Sequence, residues 1–439
     1  MQQLLFLFLV LVFIVVSTAK YKIHPFLSLL IAAIIMGFAA GLDGNLVVTA
    51  LAEGFGDTLG SIGIIIALGS VIGIFLEKSG GTRVMAEVIL KAVGTNRSPL
   101  AMNLTGLIIS IPVFCDSGFV ILSPLNKALS KKSGISLVIL AVSLSTGLYA
   151  THVFVPPTPG PLAAAAALEA DLGIVILLGI IVSVPVGIVG HIWARIIGKR
   201  FHIPVDEQSK TTDVKEDQPG FLESIVPIII PIILIALKSA AIYPTYPLGQ
   251  GILFRVLNFI GSPVAALFAG VILAYVFLNP KKNNHHNWIS GGLKEAGIII
   301  LITGAGGAFG NIIRVSDIGD LIGSNFSGIQ AGIFLPFLVA AVLKSAQGSS
   351  TVSIITTAAI VAPLMEPLGM GSSMGRALGV LSIGAGAMTV SHLNDSYFWV
   401  VSQFSGMNVQ TALKSHTIAT LIQGITAIMI IALTAIILL

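Results

Sequence analysis

The stretch SHLNDSYFW, residues 391–399, sets a histidine, an asparagine and an aspartate ahead of an aromatic cluster, and apolar sequence flanks it on both sides. In hydrocarbon each of these polar groups is costly unless protein or water covers it. The stretch therefore interrupts a membrane span at a place that faces a hydrated interior. The rest of the chain supports a membrane setting. Of 439 residues 55% are hydrophobic and 10% charged, with a mean hydropathy of +1.00, far from the usage of soluble domains.

Apolar runs recur from Leu4–Val16 to Ile418–Leu439, and a helical crossing takes about 20 residues. The first run has no basic n-region and no Ala-x-Ala-like cleavage site, so it reads as a retained helix. A β-barrel needs short alternating segments, whereas these runs are continuously apolar and glycine-rich. The fold class is thus an all-α polytopic membrane protein. The single cysteine, Cys115, excludes an intramolecular disulfide and offers no metal-ligand spacing. The net charge of +4 lacks the basic, aromatic-interleaved stripe of a nucleic-acid binder.

Eighteen of the 23 basic residues fall in six stretches: Lys20 and Lys22, Lys78 to Arg97, Lys127 to Lys132, Arg195 to Lys215, Lys281 to Lys294, and Lys414. The positive-inside rule puts all six on the cytoplasmic side and both termini outside. Crossings follow at 3–18, 25–42 and 58–77. Residues 99–129 begin and end beside cytoplasmic stretches and are too few for two crossings, which predicts a re-entrant hairpin turning near FCDSGF, 114–119, with Asp116 and Gly118 at the turn. Residues 135–168 form one crossing broken by THVFVPPTPGP, 151–161, since four prolines in eleven residues exclude a continuous helix. A crossing at 173–194 returns to the cytoplasm.

The polar stretch 199–220 reads as a cytoplasmic linker between residues 1–198 and 221–439. Beyond it the order recurs in the opposite orientation. Crossings at 222–242, 252–279 and 295–313 precede a hairpin at 330–366, interrupted by AQGSSTVS, then a crossing at 375–402 broken by the opening motif and a last helix at 415–438. Gly-x-x-x-Gly motifs at 69–73 and 306–310 follow GIII runs in the two halves. Two inverted repeats of about five helices, each with a broken helix and a hairpin, are the pattern of a secondary transporter whose site lies where the interruptions meet.

At these positions the sequence resembles the gluconate permease family of bacterial inner-membrane symporters, within the ion-transporter superfamily. The resemblance runs through GDTLGSIG (56–63), DSGFVILSPL (116–125), THVFVPPTPGP (151–161), GAGGAFGNII (304–313), GSSTVSIIT (348–356) and SHLNDSYFW (391–399). It implies proton-coupled uptake of a small hydroxylated monocarboxylate such as gluconate, with no cofactor and no enzymatic activity. By analogy within the superfamily it also implies a homodimer and elevator-like movement. The sequence departs from gluconate-type members at Cys115-Asp116, where they commonly carry Tyr-Glu, and at Thr158, where they carry a histidine. Gluconate, glycerate, other sugar acids and hydroxy amino acids all stay open as substrates.

Helix N-termini, hydroxyls and backbone N–H groups hold an anion without arginine. The candidate substrate ligands are Ser117, Gly118, Thr151, His152, Thr158, Gly348, Ser349, Ser350, Thr351, His392 and Asn394. The alternative for the hydroxyls is bonding to their own helix, as expected for Ser143 and Thr146. Asp116, Asp395, His152 and His392 are the candidate proton carriers, a helix-capping role being the rival for the two acids. Sodium coupling competes, because Ser, Thr and Asn oxygens suit Na⁺ as well. Arg314 is expected to pair with Asp317 and Asp320, and His285 with His286 lacks further ligand spacing for a metal. An intramembrane protease is disfavoured by the lack of His-Glu-x-x-His or a nucleophile motif, and a channel would not need two oppositely inserted interruptions.

Overall fold

A computed structural model describes residues 2–201, 203, 218–242, 251–278, 285–316, 332–393 and 395–439. No strand occurs among the described residues. The first half comprises α1 (Gln2–Ala19), α2 (Pro25–Ala39), α3 (Gly44–Ser79), α4 (Gly81–Val93), α5 (Ser98–Ile109), α6 (Cys115–Ser133), α7 (Leu137–Phe154), α8 (Pro159–Ala167) and α9 (Leu172–Ile197). After the 199–220 stretch come α10 (Phe221–Ile242), α11 (Ile252–Ile260), α12 (Pro263–Phe277) and α13 (His285–Val315). The chain ends with α14 (Phe334–Gln347), α15 (Ser350–Val361), α16 (Ser373–Met388), α17 (Ser396–Phe404), α18 (Val409–Ala412), a π-helical turn over Leu413–Thr417, and α19 (Ile418–Leu438).

Apolar runs fold as helices because hydrocarbon offers no partner for the backbone, and a helix satisfies every N–H and C=O internally. The boundaries follow from side-chain chemistry. Asp43 caps α3 by accepting from the N–H groups of Asn45 and Leu46 at 2.9 and 3.1 Å. Asp171 caps α9 through Ile174 N–H at 2.8 Å, and Ser372 caps α16 through Gly375 N–H at 3.0 Å. Gly80 and Gly134 close α3 and α6 with φ of 81° and 70°, a conformation that costs glycine little.

The long helices α3 and α13 cross closely along their length. A Cβ on Gly307 would lie 2.6 Å from Gly54 O and 1.9 Å from Thr58 Oγ1, and Asn311 Nδ2 donates to Ala50 O at 2.9 Å. In a second bundle α7 packs between α5 and α9. A Cβ on Gly147 would stand 2.1 Å from Asn103 O, and Asn103 Nδ2 donates to Ser143 O, Thr146 Oγ1 and Gly187 O at 2.8, 3.2 and 3.1 Å. Small residues let the backbones approach, which is how helices associate where burial from water supplies no drive. The packing pattern recurs later in the chain: α16 lies between α14 and α19 as α7 lies between α5 and α9.

Several boundaries differ from the sequence reading. Residues 44–57, which fall between the crossings expected at 25–42 and 58–77, are the first part of α3, whose 36 residues give about 54 Å of helical path at 1.5 Å per residue, bent by 44° between its parts Gly44–Ser61 and Gly63–Ser79. The acids there mark the helix cap and its exposed faces instead of a loop. The basic segment 81–93 is the helix α4, which buries Thr82, Met85 and Ala86 and pairs Arg83 with Glu87 at 3.1 Å on its outer side. Helix α13 begins at His285, ten residues before the expected crossing, because His285 stacks on Tyr275 at 3.9 Å and Trp288 meets Phe75 edge-on at 5.3 Å. The turn between α5 and α6 is Ser110–Phe114. Asp116 and Gly118 therefore sit inside the first turn of α6, where an acid is favoured by the helix dipole.

Candidate functional site

Proline and glycine place four interruptions near one another. Pro112 lies in the turn between α5 and α6, and Pro156 and Pro157 lie in the break between α7 and α8. Pro159 and Pro161 fall in the first turn of α8, where a missing N–H costs nothing. Gly348, with φ of 92°, ends α14 and turns the chain into α15. The break between α16 and α17 spans residues 389–395 and holds Val390 at φ 58°, a strained conformation for a β-branched residue. Its neighbours fix it: Thr389 Oγ1 donates to Ala385 O at 2.8 Å, Ser391 N–H to Thr420 Oγ1 at 2.9 Å, and Thr417 Oγ1 to Ser391 O at 2.5 Å.

Each tip touches both breaks. Phe114 of the first tip lies 6.0 Å from the His152 ring, beside the first break. Ser396 Oγ, at the start of α17, donates to Asp116 Oδ2 at 3.3 Å. A Cβ on Gly160, in the first turn of α8, would lie 3.6 Å from Thr351 Cα at the start of α15. Lys344, one turn before the second tip, pairs its Nζ with Asp395 Oδ2 at 2.6 Å and also donates to Gly348 O. The N-termini of α6, α8, α15 and α17 are thereby gathered around one region, and their partial positive ends favour an anion.

The glycine motifs position these tips against the long helices. A Cβ on Gly73 would stand 2.5 Å from Pro112 O, and one on Gly69 would stand 3.2 Å from Pro157 O. Gly306 and Gly310 lie against Ile355 and Ala359 of α15, a Cβ on each meeting Ala359 atoms at 3.3 Å. So α3 abuts both first-half interruptions and α13 abuts the second hairpin, with glycine on the long-helix side of each contact.

The proposed ligands divide by what their polar atoms do. Buried atoms without a hydrogen-bond partner are Asp116 Oδ1, Thr151 Oγ1 and His152 Nδ1. Ser350 is buried, and Ser117 and Thr351 are half-buried beside it in the two tips. Gly118 lets α6 meet α7, since a Cβ there would lie 2.9 Å from Leu148 Cδ2. Ser349 caps α15, its Oγ accepting from Val352 N–H at 3.3 Å, whereas Thr158 Oγ1 donates back to Val155 O at 2.6 Å, at the end of α7. His392 is half-buried and contributes its carbonyl, which accepts Asp395 N–H at 2.8 Å. Asn394 lies outside the described residues, as do Asp317 and Asp320. Arg314 donates to Asn311 Oδ1 at 3.1 Å. Thr146 bonds its own helix as expected, but Ser143 Oγ meets His191 Nδ1 at 3.1 Å.

Asp395 is the most heavily partnered acid of the region. It caps α17 through Tyr397 N–H at 3.1 Å, accepts from Ser391 Oγ and faces Lys344. The chain of contacts continues inward: His416 Nε2 meets Ser391 Oγ at 3.3 Å and its Nδ1 meets Ser145 Oγ at 3.2 Å. Tyr397 OH donates to Ser145 O at 3.0 Å, and Tyr149 lies under Lys344 Nζ at 5.8 Å. Sequence reasoning passed over Lys344, Ser391 and His416 as functional residues. The available signal for Lys344 was a lone lysine in the apolar run FLPFLVAAVL, four residues before the tip glycine. For His416 it was a histidine near the start of an apolar helix; it lies in the π-helical turn, a distortion frequent at functional sites.

A cavity of about 370 Å³ opens beside this region, lined by Asp57, Thr58, Glu169, Asn311, Arg314 and Arg376, with Ala359 and Ala362 of α15 and its continuation at its floor. Ala359 is nine residues from Ser350, about 13 Å along a helix. The cavity therefore stands at one end of the cluster, between α3–α13 and the α8–α15 pair. Among the described residues no group of His, Cys, Asp and Glu has a metal-binding arrangement.

A helical chain whose described residues hold five helices long and apolar enough to cross a membrane, or seven if each of two bent pairs is one span, folded around interrupted helices that converge on buried polar groups, defines a membrane transport protein. The model of the GntP family permeases matches residues 2–437, and the chain belongs to that family. It is 34% identical to a gluconate permease of Pseudomonas aeruginosa, over 97% of this chain and 96% of that one. It is 32% identical to the D-serine transporter DsdX of Escherichia coli, over 95% and 94%. Its fold is similar to that of MtrF of Neisseria gonorrhoeae, described as illuminating a class of antimetabolite efflux pumps, with a TM-score of 0.69, 14% identity and coverage of 95% and 96%.

Proposed function

We propose that the protein is a secondary active transporter that couples uptake of a small hydroxylated monocarboxylate to proton influx across the bacterial inner membrane. The observation that carries this reading is the gathering of four helix N-termini, α6 meeting α17 at Asp116 and Ser396 and α8 meeting α15 at Gly160 and Thr351, with Asp116 Oδ1 buried and unpartnered. Positive helix ends hold the substrate carboxylate, while Ser117, Ser350 and Thr351 bond its hydroxyls. Asp116 carries the proton, because Lys344 already neutralises Asp395. Relatives named for gluconate, D-serine and L-idonate support a small polar carboxylate as the substrate class.

In this reading residues 1–198 and 221–439 are inverted repeats joined at 199–220, with re-entrant hairpins α5–α6 and α14–α15 and both chain termini outside. The reciprocal packing supports it: each hairpin meets the broken helix of the other half, α6 with α17 and α15 with α8. The glycine faces of α3 and α13 are the rail along which the remaining helices shift in an elevator-type movement within a homodimer. The cavity beside α15 is the mouth on one side.

The test is transport by purified protein in proteoliposomes. A panel of sugar acids, glycerate and D-serine is first ranked by ligand-induced thermal stabilisation. The best binder should then show counterflow and accumulate with an inward proton gradient. Accumulation driven by a sodium gradient alone would replace the proton with Na⁺, and absence of counterflow for every binder would refute carriage.

A further inference from the structure

A second, larger cavity of about 540 Å³ lies away from the interruptions, between the start of α5, the start of α7 and the end of α9. It is lined by Asn96, Arg97, Pro99, Ile139, His191, Arg195 and Lys199, among others, and by no acid among the described residues. Its volume is that of a small-ligand pocket. Among the described residues Arg97, Arg195 and Lys199 have no ion-pair partner, although the structure elsewhere pairs Arg83, Arg376 and Lys344 with acids. His191 is held in place by Ser143 at 3.1 Å, and its Nε2 makes no hydrogen bond.

The geometry of α9 says what covers these cations. His191, Arg195 and Lys199 follow at intervals of four, which puts them in one row. Ile192 and Ile196, each one residue after His191 and Arg195, form with Ile188 one turn earlier a parallel row of exposed apolar side chains running up the helix. A cationic pocket at the helix end, continuous with a lipid-facing aliphatic strip, fits a molecule with an anionic head and hydrocarbon tails. A soluble anion would use only the first of these features.

We propose that this cavity binds the headgroup of an anionic phospholipid, the phosphate held by Arg97, Arg195 and Lys199 and the acyl chains lying along Ile188, Ile192 and Ile196. The site touches the first hairpin, the broken helix α7 and α9 at once, so an occupied pocket ties these elements together. Basic pockets between helices at a membrane face take such headgroups.

Native mass spectrometry of the protein released from phosphatidylglycerol or phosphatidylcholine nanodiscs tests this. Phosphatidylglycerol should be retained roughly tenfold more than phosphatidylcholine. The double variant Arg195→Gln/Lys199→Gln should lose that preference, while Lys131→Gln/Lys132→Gln, which removes the same charge outside the pocket, should keep it. Monodisperse elution and unchanged helical circular dichroism establish that both variants fold, and Arg97→Gln should show an intermediate loss if the first does not. Equal retention of both lipids, equal loss in both double variants, or full displacement of phosphatidylglycerol by millimolar inorganic phosphate would overturn the proposal.

Discussion

Lys344 Nζ stands 2.6 Å from Asp395 Oδ2, with the two side chains 0% and 4% exposed. The pair joins the helix before the second tip to the cap of the second broken helix, two elements separated by a strained backbone at Val390. A buried lysine facing an acid adds little net stability over an apolar pair of the same shape, but breaking it leaves one charge stranded. Its value lies in fixing the relative position of α14 and α17.

Loss of either charge alone should therefore be severe. Lys344→Met and Asp395→Asn are each expected to destabilise the protein by about 3–5 kcal/mol, and the double variant by less than the sum. Thermal melting in detergent across the four-member cycle measures the coupling. Additive losses would show that the two groups do not act as a pair.

Asp116 differs because its Oδ1 has no partner. Asp116→Asn keeps the shape and the bond from Ser396 while removing the exchangeable proton. Counterflow should persist and accumulation driven by an inward proton gradient should vanish. Retained accumulation would exclude Asp116 as the carrier.

The approach of α3 to the first tip leaves no room for a side chain. Gly73→Leu would force Pro112 O away from a Cβ placed 2.5 Å from it, at a cost of about 1–3 kcal/mol. Initial uptake should fall sharply, whereas Gly56→Ala, with nothing within 4 Å of its added Cβ, should transport normally. Rates measured side by side in the same vesicles decide this.

Ser350 tests the tip as a ligand. Removing one hydroxyl bond costs about 0.5–1.5 kcal/mol, so Ser350→Ala should raise the apparent KM up to roughly tenfold with kcat little changed. An unchanged KM would move substrate binding elsewhere.

Much of the architecture was legible because its signals are local. The proline cluster at 156–161 marks a break that no helix survives, and SHLND within an apolar run marks another. Gly348 was readable as a turn. The lengths of α3 and α13 were not, because Asp43, Asn45, Glu53 and Asp57 resemble a loop until their cap and exposed positions are known. Nor was the division of labour within the site. Thr158 and Ser349 look like ligands in sequence, but their hydroxyls are engaged by their own turns, while Lys344 and His416 acquire meaning only from partners 51 and 25 residues away, at Asp395 and Ser391.

The four helix starts of the cluster come from both sides of the 199–220 stretch: α6 and α8 before it, α15 and α17 after it. Severing the chain there would separate Asp116 from Ser396 and Gly160 from Thr351, the contacts that cross between the two parts, while leaving Phe114 with His152 and Lys344 with Asp395. Neither fragment would hold all four helix starts, and co-expression would rebuild the cluster only if the two fragments reassembled.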